Sequence, residues 1–154
     1  MHSHTLGAAA FFLILVSSAA LSAPILGSGP EEAIKLFREA DAKCRYAHCR
    51  HHGRYAFGTF KGKTNVLYFT WEQAQPLSLY DSQKLAGDVI PKDAQKIRTI
   101  MKQDGSVAEV FKSEELVRQF GTDPSVWIGA KPGTFVVFHS NSLRKTIISV
   151  GDFQ

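Results

Sequence analysis

Two runs rich in β-branched and aromatic residues face each other across a short polar loop late in the chain. The first is Thr134-Phe135-Val136-Val137-Phe138-His139, the loop is Ser140-Asn141-Ser142, and the second is Leu143-Arg144-Lys145-Thr146-Ile147-Ile148-Ser149-Val150. This is a β-hairpin signal. Both runs hold successive apolar residues, so neither face suits water; a central strand pair covered by a helix on at least one side is expected. The rest of the chain must supply that cover and the flanking strands.

The first residues are expected to lie outside the fold. Met1 to Thr5 is polar, Leu6 to Val16 is almost wholly apolar, and Ser17 to Ala23 is rich in small residues. That is the pattern of a secretory signal, with Ser18-Ala19-Ala20 and Ala20-Leu21-Ser22 as acceptable cleavage sites. The apolar run is too short to span a bilayer, which argues against the competing reading of a membrane anchor. The expected organisation is a signal peptide at 1–22, a linker at 23–29 and a single secreted α+β domain at 30–154. Stable membrane insertion is not expected.

The chain carries 18 Lys and Arg against 14 Asp and Glu, a net charge of +4. All of these charges follow the signal, and their distribution matters more than their sum. Between Asp41 and Glu72 there is no acid, whereas Lys43, Arg45, Arg50, Arg54, Lys61 and Lys63 fall there with His48, His51 and His52. A segment so polarised suits an acidic partner such as RNA, another polyanion or an acidic protein face, although a solubilising basic surface has the same composition. Tyr46, Tyr55, Phe57 and Phe60 lie among the cations and would stack on bases wherever they face outward.

Pro30 stands where a first helical residue belongs, with Glu31 and Glu32 toward the positive end of the helix dipole. Ala33, Ile34, Phe37, Ala40 and Cys44 then follow at three- and four-residue spacing, so an amphipathic helix over about 30–45 is expected on the sheet. Cys44 and Cys49 are the two cysteines, and in an oxidising compartment a bridge between them is expected. Within one continuous helix their Cα atoms would stand more than about 7 Å apart, so the bridge requires the helix to end between them. A metal site is the sharper alternative, since His48, His51 and His52 are also near. The spacing is not that of a zinc knuckle, however, and no second ligand pair follows. No metal or other cofactor is expected.

Arg54 to Phe60 and Val66 to Trp71 read as strands joined by a five-residue loop containing Gly62, with Leu67, Phe69 and Trp71 on one face. Leu77 to Tyr80 reads as a short strand. Lys92 to Gln103 reads as a helix through Ala94, Ile97 and Met101, ended by Asp104-Gly105. A second helix begins at the N-cap Ser113, with Glu114 and Glu115 in its first turn and Gly121 at its end. Val126-Trp127-Ile128 reads as a short strand before the Lys131-Pro132-Gly133 turn. The expected fold is α+β: an N-terminal amphipathic helix packed on an antiparallel sheet of about five strands, with a helical insertion.

This order resembles the guanyl-specific fungal ribonucleases. Val136-Val137-Phe138, a polar turn, then Ile147-Ile148-Ser149-Val150-Gly151 is similar to their last catalytic pair of strands. His52-Gly53-Arg54-Tyr55 resembles their first catalytic strand, and Tyr68-Phe69-Thr70-Trp71-Glu72 the strand bearing their general base. The resemblance implies a carboxylate base, a histidine acid and an arginine on the phosphoryl group. The matching positions here hold Thr70, Ser149 and Phe135 instead. Glu72 shares the face of Thr70, and His51 or His52 matches the family's other histidine, so a replacement trio of Glu72, His139 and Arg54 can be drawn. The departures point rather to the ribonuclease-like secreted effectors of plant-pathogenic fungi, whose likeness implies virulence, delivery into host cells and binding of host protein or RNA without cleavage. The binding residues then expected are the basic segment Lys43, Arg45, Arg50, Arg54, Lys61 and Lys63. A secreted ribonuclease or ribotoxin using Glu72, His139, Arg54 and His52 is the alternative. A secreted inhibitor or cell-wall-binding protein is a further one.

Overall fold

The structure is a computed structural model, and it describes residues 24–36, 54–70, 78–141 and 144–152. Six strands, β1 (Arg54–Phe60), β2 (Lys63–Thr70), β3 (Gln95–Met101), β4 (Val107–Lys112), β5 (Thr134–Ser140) and β6 (Lys145–Val150), form one sheet. Every neighbouring pair is antiparallel and the order is β1-β2-β6-β5-β4-β3. The late hairpin, β5 and β6, occupies the middle, as its two-sided apolar character requires. The helices are α1 (30–36 in its described part), α2 (Leu79–Val89), α3 (Glu114–Phe120) and the single turn α4 (Pro124–Trp127). The fold is therefore α+β.

One face of the sheet carries the core. Leu67 and Phe69 of β2, Ile148 and Val150 of β6, and Phe135 and Val137 of β5 pack with Leu26, Ala33, Ala86, Val89, Leu116, Phe120, Val126 and Trp127 from the helices and the N-terminal segment. Phe111 stacks on Phe135 at 5.1 Å between ring centroids, and Phe120 meets Trp127 edge-on at 6.1 Å. The Trp127 indole donates to the Gly121 carbonyl at 3.1 Å, so its polar edge is satisfied. Each large side chain fully buried in this layer contributes roughly 1.5–3 kcal/mol.

Several local readings give way to tertiary structure. The sheet has six strands where about five are expected: β3 and β4 both join it, β3 where a helix is expected over Lys92 to Gln103, while among the described residues the strands expected at Leu77 to Tyr80 and Val126 to Ile128 do not. The residues of β3 are all exposed, for it is an edge strand; without a buried side it shows no alternation, and Ala94, Ile97 and Met101 mimic a helical stripe. Its β-branched Ile97, Thr99 and Ile100 suit the pairing with β4. Asp104-Gly105, expected to stop a helix, is the turn of this hairpin: Gly105 adopts φ +81°, and Asp104 accepts from the Ser106 amide at 2.9 Å. The short strand expected at Leu77 to Tyr80 is replaced, from Leu79 on, by α2. Ser78 caps that helix by accepting from the Asp81 amide at 3.1 Å, and Ser82, Ala86 and Val89 are its buried stripe. Val126-Trp127 belongs to the helical turn α4, capped by Asp123 and opened by Pro124, while Ile128 is left-handed.

The α3 reading holds in detail. The Ser113 hydroxyl accepts from the Leu116 amide at 3.2 Å, and Gly121 ends the helix at φ +72°. In the first hairpin the expected five-residue loop is a two-residue turn. Lys61 and Gly62 both have positive φ, 49° and 73°, so Phe60 pairs directly with Lys63. The expected linker is partly built into the core. Ile25 and Leu26 are buried, both of their amides donate to the Val89 carbonyl at 3.0 Å, and Gly27 donates to Thr64 at 2.8 Å. Two adjacent apolar residues suit burial better than a solvated tether. Cys44, Cys49, Trp71, most of the expected helix over 30–45 and the cleavage region lie outside the described residues.

Candidate functional site

Side chains alternate along each strand, so the register divides the sheet into two chemically distinct faces. Among the described residues the covered face holds a polar cluster. Glu109 of β4 and His139 of β5 lie there with their side chains 6 % and 5 % exposed, His139 Nε2 being 3.4 Å from Glu109 Oε2. That contact is too poorly directed to be a hydrogen bond, and Nε2 finds no other partner. His139 Nδ1 lies 3.4 Å from the Thr146 hydroxyl, directly across on β6. The other oxygen of Glu109 accepts from Lys96 Nζ at 2.9 Å and from Gln83 Nε2 of α2 at 3.1 Å. Burial pushes the His139 pKa below its ordinary value, and the Glu109 charge only partly opposes this. Burial thus favours the uncharged imidazole, beside a carboxylate that Lys96 balances. Sealed under the helix layer, the pair fastens α2 to the sheet, and its two members present almost no surface to a substrate.

The second face differs. Ala108, Val110 and Val136 are buried there, with Phe138 half-buried against them. Tyr68 and Ile100 stand exposed at 39 % each. No helix contributes to this cluster among the described residues. By register the face also carries Thr70, Lys145, Ile147, Ser149, Thr134, Ser140, Lys112 and Arg98. Among the described residues no strand residue on it is an acid or a histidine.

The predicted residues fall unevenly on this frame. His139, the acid candidate of the replacement trio, is buried on the covered face. Thr70 and Ser149 share the second face, while Phe135 points into the core, so these three positions do not converge. Arg54 pairs with Thr70 across β1 and β2. Lys61 sits at the tip of the first hairpin, its ammonium 2.6 Å from Asp123 and 5.5 Å from the centroid of the Phe60 ring; Lys63 is half-exposed beside it. Glu72, His52, Lys43, Arg45 and Arg50 lie outside the described residues. Glu109 was not anticipated. An acid within the apolar run Val107-Ala108-Glu109-Val110-Phe111 is the signal that marks it, since a buried carboxylate needs partners.

A shallow cleft beside α3 is lined by Asp93, Gln95, Lys112 and Glu114. Its charged groups are already engaged: Asp93 accepts from the Ser113 hydroxyl at 2.6 Å and the Glu115 amide at 2.9 Å, and Lys112 pairs with Glu114 at 2.7 Å. Among the described residues no helix is long and apolar enough to cross a membrane. No protein-family model matches the chain, and neither a curated protein nor a solved structure matches it.

Proposed function

We propose that the chain is a small secreted, non-catalytic binding protein, a virulence effector on a ribonuclease-like scaffold that engages a host protein or RNA. The observation that supports the reading is the chemistry of the second sheet face. Phosphodiester cleavage by general acid–base catalysis needs two groups that can exchange protons at the substrate. That face offers Thr70 and Ser149 where the resemblance would place base and acid, and among the described residues its strands turn neither carboxylate nor imidazole toward it. The histidine–carboxylate pair of the covered face is buried beneath helices. Binding needs no such groups: an apolar floor with lysines at its margin is sufficient.

The test is incubation of the pure mature protein with total RNA, resolved on a gel. Intact RNA is expected over hours at neutral pH. Cleavage that is lowered about 100-fold or more by both Glu72→Gln and His139→Ala would replace the binding reading with the nuclease one.

A further inference from the structure

The register of the second face sorts its residues into two parallel lines across the sheet. Tyr68 of β2 stands opposite Ile147 of β6, Ile147 opposite Phe138 of β5, Phe138 opposite Ala108 of β4, and Ala108 opposite Ile100 of β3. This line is apolar and aromatic from end to end. Two residues further toward one end of the sheet, Arg54 pairs with Thr70, Thr70 with Lys145 and Lys145 with Ser140. Lys102, directly after β3, completes that second line, its amide donating to the Ser106 carbonyl at 2.8 Å. This line is polar and basic. With strands about 4.8 Å apart, successive aromatic or branched groups along the first line recur at roughly 5–10 Å.

Some cations of the sheet and its turns are paired: Lys61 with Asp123, Lys96 with Glu109 and, on this same face, Arg98 with Asp152 and Lys112 with Glu114. Lys102 and Lys145 form no salt bridge among the described residues, although the Asp104 carboxylate, whose pKa the Ser106 amide holds low, is lowered further by the Lys102 charge. The Lys102 ammonium instead lies 5.1 Å from the centroid of the Phe138 ring, which joins the basic line to the aromatic one. At that end of the sheet Asp104 is occupied by the amide and hydroxyl of Ser106, at 2.9 and 3.0 Å.

From this juxtaposition we propose that the second sheet face binds single-stranded RNA laid across the strands. Its phosphates lie along Lys102 and Lys145, and its bases lie against Tyr68 and Phe138. The assignment rests on the binding-protein reading above and names the site and ligand class for it. A single strand exposes an anionic edge and a series of flat apolar faces side by side, which is the complement of these two lines. A duplex hides its base faces and meets only the basic line. A protein partner would find, among the described residues, no acid turned to this face by the strands, and Asp152 at its margin is already paired with Arg98.

Fluorescence anisotropy with a labelled single-stranded RNA of mixed sequence tests this, with the annealed duplex as competitor. Wild-type affinity is expected to fall with salt at a log–log slope of about −0.7 per phosphate contacted, and the duplex to compete poorly. Tyr68→Ala should weaken binding on the order of tenfold, the loss of one stacked base. Lys102→Ala and Lys145→Ala should each flatten the salt slope by about 0.7. Circular dichroism melts should show all three variants folded, since Tyr68 and Lys102 are exposed and Lys145 is half-exposed. If the wild type binds RNA but these variants bind as it does, the site is overturned while the binding-protein reading stands. If the wild type binds no RNA, or binds the duplex equally well, the ligand class is overturned. Cleavage of the probe would overturn the non-catalytic reading whatever the variants show.

Discussion

The two faces of the sheet are built from the same strands and differ in what they do with polar groups. On the covered face a carboxylate and an imidazole are buried together, balanced by Lys96 and fastened to α2 through Gln83. On the second face the described strand residues include no acid, and Lys102 and Lys145 stand at the margin of an apolar floor. A buried charge without partners is costly, so the first arrangement serves cohesion. Cations left without carboxylates contribute little to cohesion and remain able to meet a ligand. One face holds the molecule together, and the other is where recognition is expected.

Truncating one aromatic on each face of the same strand is the strongest way to break that comparison. Phe135 is fully buried against Phe111 and the helix layer, so Phe135→Ala should cost about 3–5 kcal/mol, a large part of the stability of a domain this size. Phe138, three residues on, is half-buried on the second face, and Phe138→Ala should cost less than half as much, about 1–2 kcal/mol. Urea unfolding of the two variants decides the matter. Equal losses would mean that both faces are core.

The parts of this arrangement visible in the sequence are those with local chemistry. The β5–β6 hairpin announces itself by β-branched runs, and α3 by Ser113, its two glutamates and Gly121. β3 is hidden because an exposed edge strand has no buried side to impose alternation. α2 is hidden because its buried stripe is Ser82, Ala86 and Val89, small residues among polar ones, and its Ser78 and Asp81 cap is its clearest mark. Trp127 appeared as a strand residue because its neighbours Val126 and Ile128 are β-branched, whereas Asp123 and Pro124 start a helical turn. Neither the Glu109–His139 pair nor the two lines on the second face could be read from sequence. Both depend on register among strands distant in sequence. The basic segment from Lys43 to Lys63 is plain in composition, but only Lys61 and Lys63 have described side chains, and Lys61 is joined to Asp123.

A smaller effect probes the polar cluster itself. Glu109→Gln keeps the shape but removes the charge that Lys96 engages and that lies beside His139. A loss on the order of 1–3 kcal/mol is expected, chiefly from the hydrogen bonds of Lys96 and Gln83 to a buried acceptor. Lys96→Ala should cost less, because its side chain is 52 % exposed and the solvent screens it. If Glu109→Gln proves neutral in denaturant unfolding while Lys96→Ala does not, the cluster is not held by the carboxylate and the contrast between the faces loses its electrostatic half.

The smallest effect expected is a pH dependence that belongs to the covered face alone. Burial holds the His139 pKa below the ordinary value near 6.5, against the pull of Glu109. The unfolded chain therefore takes up a proton at a pH where the folded chain still refuses it. Stability is complete above about pH 6.5 and falls as the pH drops below that point, until the folded imidazole is itself protonated. The slope in that window is at most about 1.4 kcal/mol per pH unit. Asp123, held low first by the Lys61 ammonium, and Asp104, held low first by the Ser106 amide, also lose stabilising contacts on acidification. Those losses set in from about pH 5 downward, as unfolded carboxylates begin to protonate, and they are common to wild type and a His139 variant. Urea midpoints from pH 7.5 to 4.5 for wild type and His139→Gln make the test, and subtracting the two curves removes the chain's other histidines. The wild type should lose stability across the window faster than the variant. Parallel curves would mean that His139 accepts its proton in place, with Glu109 as a ready counter-ion, and that the pair under α2 tolerates charge that its burial should exclude.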